Sequence, residues 1–326
     1  MHKLQKHLGF ALLGMLLLVM SPGLQAQSFP SKRILWIVPY TPGAGSDTVA
    51  RLLSPKLSQA LGGEPVVVEN RGGAGGAIGT LEGARASPDG YTWTFGSDPP
   101  FTINPNFKKL PFNPITDFVP VSFIARVPLV LVIKDSLPVA NLSDLVALAR
   151  KNPGALNGSS SGNGSSSHLA LELFNATAGV KITHVPYKGQ SEALTDVIAG
   201  RIDMTFSSIG LLAPHLKSGR LRALAIGSPD RFEGMPTVPT VAEQGYPGFD
   251  VSAWHGLLMP AGTPGEIVLR VNEAVSEALK APDVSGRMRG LGYIPVGGPP
   301  AALDQLIKGD TAKWAKVIRD ANIQAD

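Results

Sequence analysis

The sequence predicts an α/β protein of two lobes, on three observations. Short β-rich runs alternate with segments of helical period, the pattern of α/β units with largely parallel sheets. The chain has 326 residues, and the part beyond an apolar leader exceeds the usual size of one domain. Its 37 Gly and 28 Pro gather at strand ends and form no low-complexity tract, so they punctuate a folded chain.

Taken in order, the elements begin with that leader. Lys3 and Lys6, an apolar core from Leu8 to Met20, a Ser21-Pro22-Gly23 break and Leu24-Gln25-Ala26 as a cleavage site make residues 1–26 a secretory signal peptide. The apolar core falls short of the roughly 20 residues that span a bilayer. Strands are expected at 34–40, 65–70, 91–96, 119–125, 129–134, 182–187, 202–207 and 221–227, with a ninth at 251–259. Helices fit between them at 47–61, 76–86, 142–151, 168–178, 191–198 and 264–280. Asn141, three residues before Asp144, caps the third of these. Leu303, Leu306, Ile307, Trp314, Val317 and Ile318 put one apolar stripe on a long terminal helix. With no repeat and no polar linker, the lobes should be joined by crossing strands near 126–129 and 250–254.

Charge and cysteine content exclude several classes. The formal net charge is +4, and without Lys3 and Lys6 it falls to 27 basic against 25 acidic residues, or +2. There is no basic block either, so the footprint of a nucleic-acid binder is missing. The absence of cysteine removes disulfides, thiolate metal sites, a Cys nucleophile and a lipidated Cys.

Three active chemistries fit poorly. Gly43-Ala44-Gly45-Ser46-Asp47-Thr48 opens as G-x-G, but Thr48 stands where the third Gly belongs, and Gly72–Gly79 also misses the spacing of a phosphate loop. Gly158-Ser159-Ser160-Ser161-Gly162 matches G-x-S-x-G, which makes a serine hydrolase using Ser160 the alternative reading, with Asp196 or Asp203 and His215 or His255 in the right chain order. A helix starting near His168 begins too late for the sharp turn such a serine needs. The histidines after the leader (His168, His184, His215, His255) show no H-x-x-x-H spacing, so no metal is expected.

A passive anion site remains. A turn of small residues running into a helix presents unpaired N–H groups at the positive end of the helix dipole, and holds a carboxylate without Arg. Gly43-Ala44-Gly45-Ser46 is one such cluster and Gly162-Asn163-Gly164-Ser165-Ser166 another. From opposite lobes they would grip a dicarboxylate at both ends. Each serine taken alone reads better as a cap on its own helix, and it is the pair of clusters together that favours binding.

The runs "VPYTPGAGSDTVARLL", "VVVENRGGAGGAIGT", "SGNGSSSHLALELF", "HVPYKGQSEALTDVIAGRIDM" and "VPTVAEQGYPGFDVSAWHGLLMPAGTP" resemble the Bug family, the extracytoplasmic substrate receptors of tripartite tricarboxylate transporters. The likeness extends over nearly all of 28–326. It implies a type II periplasmic-binding-protein fold: two α/β lobes joined by two crossover strands, with the ligand in the inter-lobe cleft. Lobe one would be 28–127 plus 254–326, and lobe two 128–253. It further implies a periplasmic monomer without cofactor or catalysis. Such a receptor captures a small organic carboxylate (a di- or tricarboxylate, an acidic amino acid or an aromatic acid) and passes it to large and small integral-membrane subunits, or presents its closed form to a two-component sensor.

Carried over by position, the first loop supplies Tyr40, Pro42, Gly43, Ala44, Gly45, Ser46 and Asp47, and the next strand end supplies Ser97 and Asp98. Lobe two would give Ser161, Gly162, Asn163, Gly164, Ser165, Ser166 and His168, then Tyr187, Lys188 and Gly189, and Asp203. Lys188 is the candidate for a second carboxylate. Asp47, Asp98 and Asp203 either meet an ammonium or cap helices. Phe101, Tyr187 and Trp254 are the candidates for stacking on an aromatic acid, against the default of core or hinge packing. Ala44, Tyr40, Gly72 and the pair Gly158-Ser159 depart from the family pattern, and the last makes carry-over to the second loop least secure.

Overall fold

Apolar runs of alternating burial build two separate sheets in the computed structural model, which describes residues 29–324. The signal peptide expected at 1–26 lies outside the described residues. From Lys32 the order is β1 (Ile34–Val38), α1 (Gly45–Ala60), β2 (Val66–Asn70), α2 (Ala77–Ala84), β3 (Thr92–Ser97), a π-helical turn at Pro99–Ile103 and β4 (Phe118–Val127). Next come β5 (Leu129–Lys134), α3 (Leu142–Lys151), β6 (Asn157–Ser160), α4 (Ser166–Ala178), β7 (Thr183–Pro186), α5 (Gln190–Ile198), β8 (Met204–Ser208), α6 (Ile209–Lys217) and β9 (Leu221–Ile226). The chain closes with β10 (Ala253–Pro260), α7 (Gly265–Lys280), α8 (Pro282–Gly290), β11 (Ile294–Pro295) and α9 (Pro300–Asp320).

The first sheet has the order β11-β4-β10-β3-β1-β2 and the second β7-β6-β8-β5-β9. Both are mixed, which corrects the expectation of largely parallel sheets. β1 pairs parallel with β2 and β3, and β6 with β7 and β8, while the remaining described pairings are antiparallel. The reversed strands include β5 and β10, which arrive from the other sheet, and a β-then-α alternation does not fix the direction of a strand that enters this way.

The chain leaves the first sheet at Val127, joins the second at Leu129, and re-enters the first at Ala253. Gly227 N–H donates to Leu129 O and Val251 N–H to Gly227 O, so the outgoing and returning segments lie side by side. The terminal helix serves both halves. Leu303 and Ile307 share a buried cluster with Phe101, Trp254 and Leu258, and Trp314, Val317 and Ile318 share another with Phe174, Phe206 and Phe249.

Candidate ligand-binding site

Parallel strands followed by helices place helix N-termini at the carboxyl ends of the strands, where open α/β sheets bind ligands. In the second sheet this happens three times, as β6 leads to α4, β7 to α5 and β8 to α6. The three N-termini meet at one cavity of about 420 Å³, lined by Ser161 and Asn163 through Ser167 from the first, Gln190 from the second, and Ser207, Ser208 and Leu211 from the third.

Two of these termini lack a side-chain cap. Neither Gly189 before α5 nor Ser208 before α6 makes a capping hydrogen bond. Only α4 is capped, by Ser165 Oγ, which accepts from His168 N–H at 3.3 Å. Ser207, another lining residue, is 1 % exposed, and its buried hydroxyl has no hydrogen-bond partner. Leaving a buried hydroxyl unsatisfied costs about 1–3 kcal/mol unless something completes it.

The Gly/Ser loop is braced from within. Ser161 N–H donates to Ser167 Oγ at 3.0 Å, and Ser165 Oγ donates to Gly162 O at 2.7 Å. Gly164 takes φ +71°, and a Cβ there would stand 2.8 Å from the Phe107 ring, so only glycine allows this approach to the 104–107 turn. His168 Nδ1 accepts from Gly164 N–H at 3.1 Å, and its ring stacks on His184 with centroids 3.6 Å apart. Burial, then the neighbouring His184, push His168 down to about 4, so it holds the loop as a neutral acceptor and stays off the cavity lining.

From the other side the wall is Gly75, Pro99 and Asn104, with Val127, Leu129 and Ala253 of the crossing segments between. Asp98 stands just behind it. Its carboxylate accepts from Ser166 Oγ at 2.5 Å, a bond that ties the end of β3 to the first turn of α4. Burial raises Asp98 to about 6, with Asp310 adding to the rise and the Ser166 and Lys313 contacts opposing it. Ser97, beside it, bonds Tyr40 Oη at 2.6 Å.

Several expected contacts stand elsewhere. Pro42, Gly43, Ala44, Gly45, Ser46 and Asp47 are absent from the cavity lining. Gly43 N–H donates to Asp47 Oδ2 at 2.9 Å and Ala44 N–H to Thr41 O, so this loop spends those donors on itself. Asp47 also accepts from Arg51 and Asn70. These hydrogen bonds hold its carboxyl below the usual range against the upward push of burial. It thus ties the loop to the first turn of α1, the capping role among the two that the sequence leaves open.

Asp203 is likewise engaged within the fold. It accepts from Asn157 N–H at 2.8 Å and pairs with Lys134 at 2.7 Å, at the amino ends of β6 and β8. The cavity lies at their carboxyl ends, four residues or about 13 Å along the strand. Tyr187 Oη donates to Asp196 at 2.6 Å, Lys188 is exposed, and neither lines the cavity. Phe101 and Trp254 are buried 6.0 Å apart in the core, which is their default role.

Ser160 sits beneath the loop. It is fully buried, accepts from Gly162 N–H at 3.2 Å and shares a 2.6 Å hydrogen bond with His184 Nε2. Gly158 lies inside β6, where a Cβ would meet Leu171 at 2.9 Å. The departure at Gly158-Ser159 is thus absorbed by the core beneath the loop.

Sequence reasoning missed Gln190, Ser207, Ser208, Asn104 and Gly75. The available signal was Ser207-Ser208 ahead of Ile209 and Leu212, a short helix start masked by Gly210 and Pro214. Among the described residues no group of three or more His, Asp or Glu is placed to hold a metal ion, and no helix is long and apolar enough to cross a membrane.

Two α/β sheets linked by a crossing pair of segments, with a neutral, hydroxyl-rich cavity at converging helix ends, define a solute-binding protein. The chain belongs to the tripartite tricarboxylate transporter family receptor (TctC) family, whose pattern it matches over residues 49–323. It is 37% identical to Protein BugT of Bordetella pertussis over 297 residues, 90% of this chain and 91% of that one. Among solved structures it is similar to Rpa4515 of R. palustris with adipate (36% identity, TM-score 0.77, 91% of this chain and 99% of that one). It is also similar to MatC from Rhodopseudomonas palustris with bound malate (34% identity, TM-score 0.72, 89% and 100%).

Proposed function

We propose that this receptor works in the periplasm, where it captures a small organic carboxylate in the cavity at α4, α5 and α6 and delivers it unchanged to the membrane subunits of a tripartite transporter. The carrying observation is the convergence of three helix N-termini, two of them uncapped, on one cavity whose lining includes no charged side chain. Such an arrangement attracts negative charge and supplies N–H donors, yet offers no group poised for chemistry. The solved relatives with adipate and malate support the carboxylate. Lobe one is then 28–127 plus 254–326 and lobe two 128–253, closing as a monomer over the ligand, with the Asp98–Ser166 bond spanning the gap.

The test is a thermal-shift screen of the chain without residues 1–26, unfolded and refolded to strip any bound solute, against mono-, di- and tricarboxylates. A ligand at a thousand times its dissociation constant adds about 4 kcal/mol, an upward shift on the order of several degrees. Failure of every carboxylate to move the midpoint would overturn the reading. Turnover of a chromogenic ester, abolished by Ser160→Ala, would replace it with a hydrolase.

A further inference from the structure

One lining residue of the cavity gives its hydrogen away. Ser166, in the first turn of α4, is half-buried and lines the cavity, and its hydroxyl donates to Asp98 Oδ2 at 2.5 Å. A hydroxyl carries a single hydrogen, so while Asp98 is ionised Ser166 has only lone pairs to offer an anion. Asp98 is 5 % exposed and adjoins Pro99, another lining residue. An anion bound at α4 therefore stands one hydroxyl away from a buried carboxylate.

The surroundings of Asp98 hold that charge poorly. On α9, Asp310 adds a second acid, and Lys313, which would offset it, pairs with Asp310 at 2.8 Å. Arg126 is taken by Asp250 at 2.8 Å. After β1, the Tyr40 phenol bonds Ser97 at 2.6 Å and is raised by burial, so it stays neutral. Burial already lifts Asp98 to about 6 against the pull of Ser166. A second negative charge arriving nearby, where water is excluded, lifts it further.

Resting on the receptor reading above, we infer that Asp98 takes up a proton as the carboxylate binds, and that this proton turns Ser166 from a donor to Asp98 into a donor to the ligand. The proton comes from solvent to Asp98 Oδ2, which then donates to Ser166 Oγ, and the Ser166 hydrogen is freed for the cavity. One buried negative charge is neutralised as another enters. Asp98 is thus a positioning residue that acts through Ser166. Linkage fixes the sign: the complex holds more protons than the empty protein, so affinity falls as pH rises above about 6.

Titration calorimetry of the stripped protein with adipate, malate, hexanoate and benzoate, at pH 7.0 in buffers of different ionisation enthalpy, reads the proton directly. Each acid that binds should bring about 0.5–1 proton from the buffer. Its affinity should fall about fivefold or more between pH 6.5 and 8.5, where all four acids are ionised. Asp98→Asn carries no charge and can still donate to Ser166 Oγ. It should bind without proton uptake, with affinity level over that range and at pH 8.5 no weaker than the unaltered protein. A residue that merely held α4 in place would weaken binding when changed and leave the pH slope intact. His168 and His184, behind the same loop, remain in this variant, so any uptake of theirs would persist. Ser166→Ala has no hydroxyl to give and should bind about threefold or more weakly at pH 6.5. Binding without uptake in the unaltered protein, uptake that survives in D98N, or undiminished affinity in S166A overturns the inference and leaves the carboxylate receptor standing. The uptake and slope of the unaltered protein decide the matter even where a variant does not fold. Binding of none of the four acids overturns both.

Discussion

Ser207 separates function from stability at one atom. Its hydroxyl is buried without a partner, so Ser207→Ala removes an unsatisfied group and should leave the empty protein as stable as before or about 1 kcal/mol more so. The same change should weaken ligand binding by roughly tenfold, the worth of one hydrogen bond. Chemical denaturation and calorimetry read the two effects, and loss of stability with unchanged affinity would remove Ser207 from the site. Asp98 makes the complementary case through pH. Its folded-state value of about 6 lies above the ordinary 3.8, so the folded protein holds this proton more tightly than the unfolded chain between about pH 4 and 6. Stability from this group therefore falls as pH rises through that window, by about 2–3 kcal/mol, and the cost persists above it. His168 and His255, both lowered to about 4 chiefly by burial, act with opposite sign, because there the unfolded chain holds the extra proton up to about pH 6.5. Only the difference between the unaltered protein and Asp98→Asn isolates the carboxylate. That difference should be near zero at pH 4.5 and favour the variant by about 1–2 kcal/mol at pH 8, measured by urea unfolding. A difference that does not change with pH would show that Asp98 is not strained by its burial.

At the scale of elements, the sequence was legible where periodicity or capping left a local mark. Residues 129–134 read as a strand through their unbroken apolar run, and 142–151 as a helix through Asn141, which accepts from Asp144 N–H as its spacing demands. Strand β6 was illegible because Asn157-Gly158-Ser159-Ser160 has almost no intrinsic β preference. It is a strand because β7 and β8 pair on both sides of it and Leu171 fills the space over Gly158. Helix α6 was hidden by Gly210 and Pro214, and α8 by a composition so polar that only Val284 and Met288 are buried. The site divides in the same way. The Gly/Ser loop announced itself through composition, whereas Gln190 and Ser207 are ordinary residues that matter only through where β7 and β8 end. The loop at Gly43–Asp47 shows a related limit. Composition shows that donors exist there, but not that Asp47 folds back to occupy Gly43 N–H.

Across the whole molecule, the terminal helix decides how independent the two halves are. Its first half is buried with Trp254 and Leu258 of the first sheet's side, and its second half with Phe174 and Phe249 of the second. Where the segments cross, Arg126 pairs with Asp250, and Lys313 of the helix donates to Asp250 O at 3.1 Å. A helix anchored in both cores makes neither complete without it, so the halves should unfold together although each has its own sheet. Scanning calorimetry of the unliganded protein should give one transition with van't Hoff and calorimetric enthalpies in agreement. Trp314→Ala empties a large buried site and should cost about 3–5 kcal/mol. Because that loss falls on the second core and on the tie to the first, the variant should melt in two steps, the half containing Phe174 and Phe206 first. Two transitions in the unaltered protein would show that the helix does not couple the halves. A single, merely lowered transition in the variant would locate the coupling in the crossing segments and the Arg126–Asp250 pair, a distinction that Asp250→Asn resolves by splitting the transition in its turn.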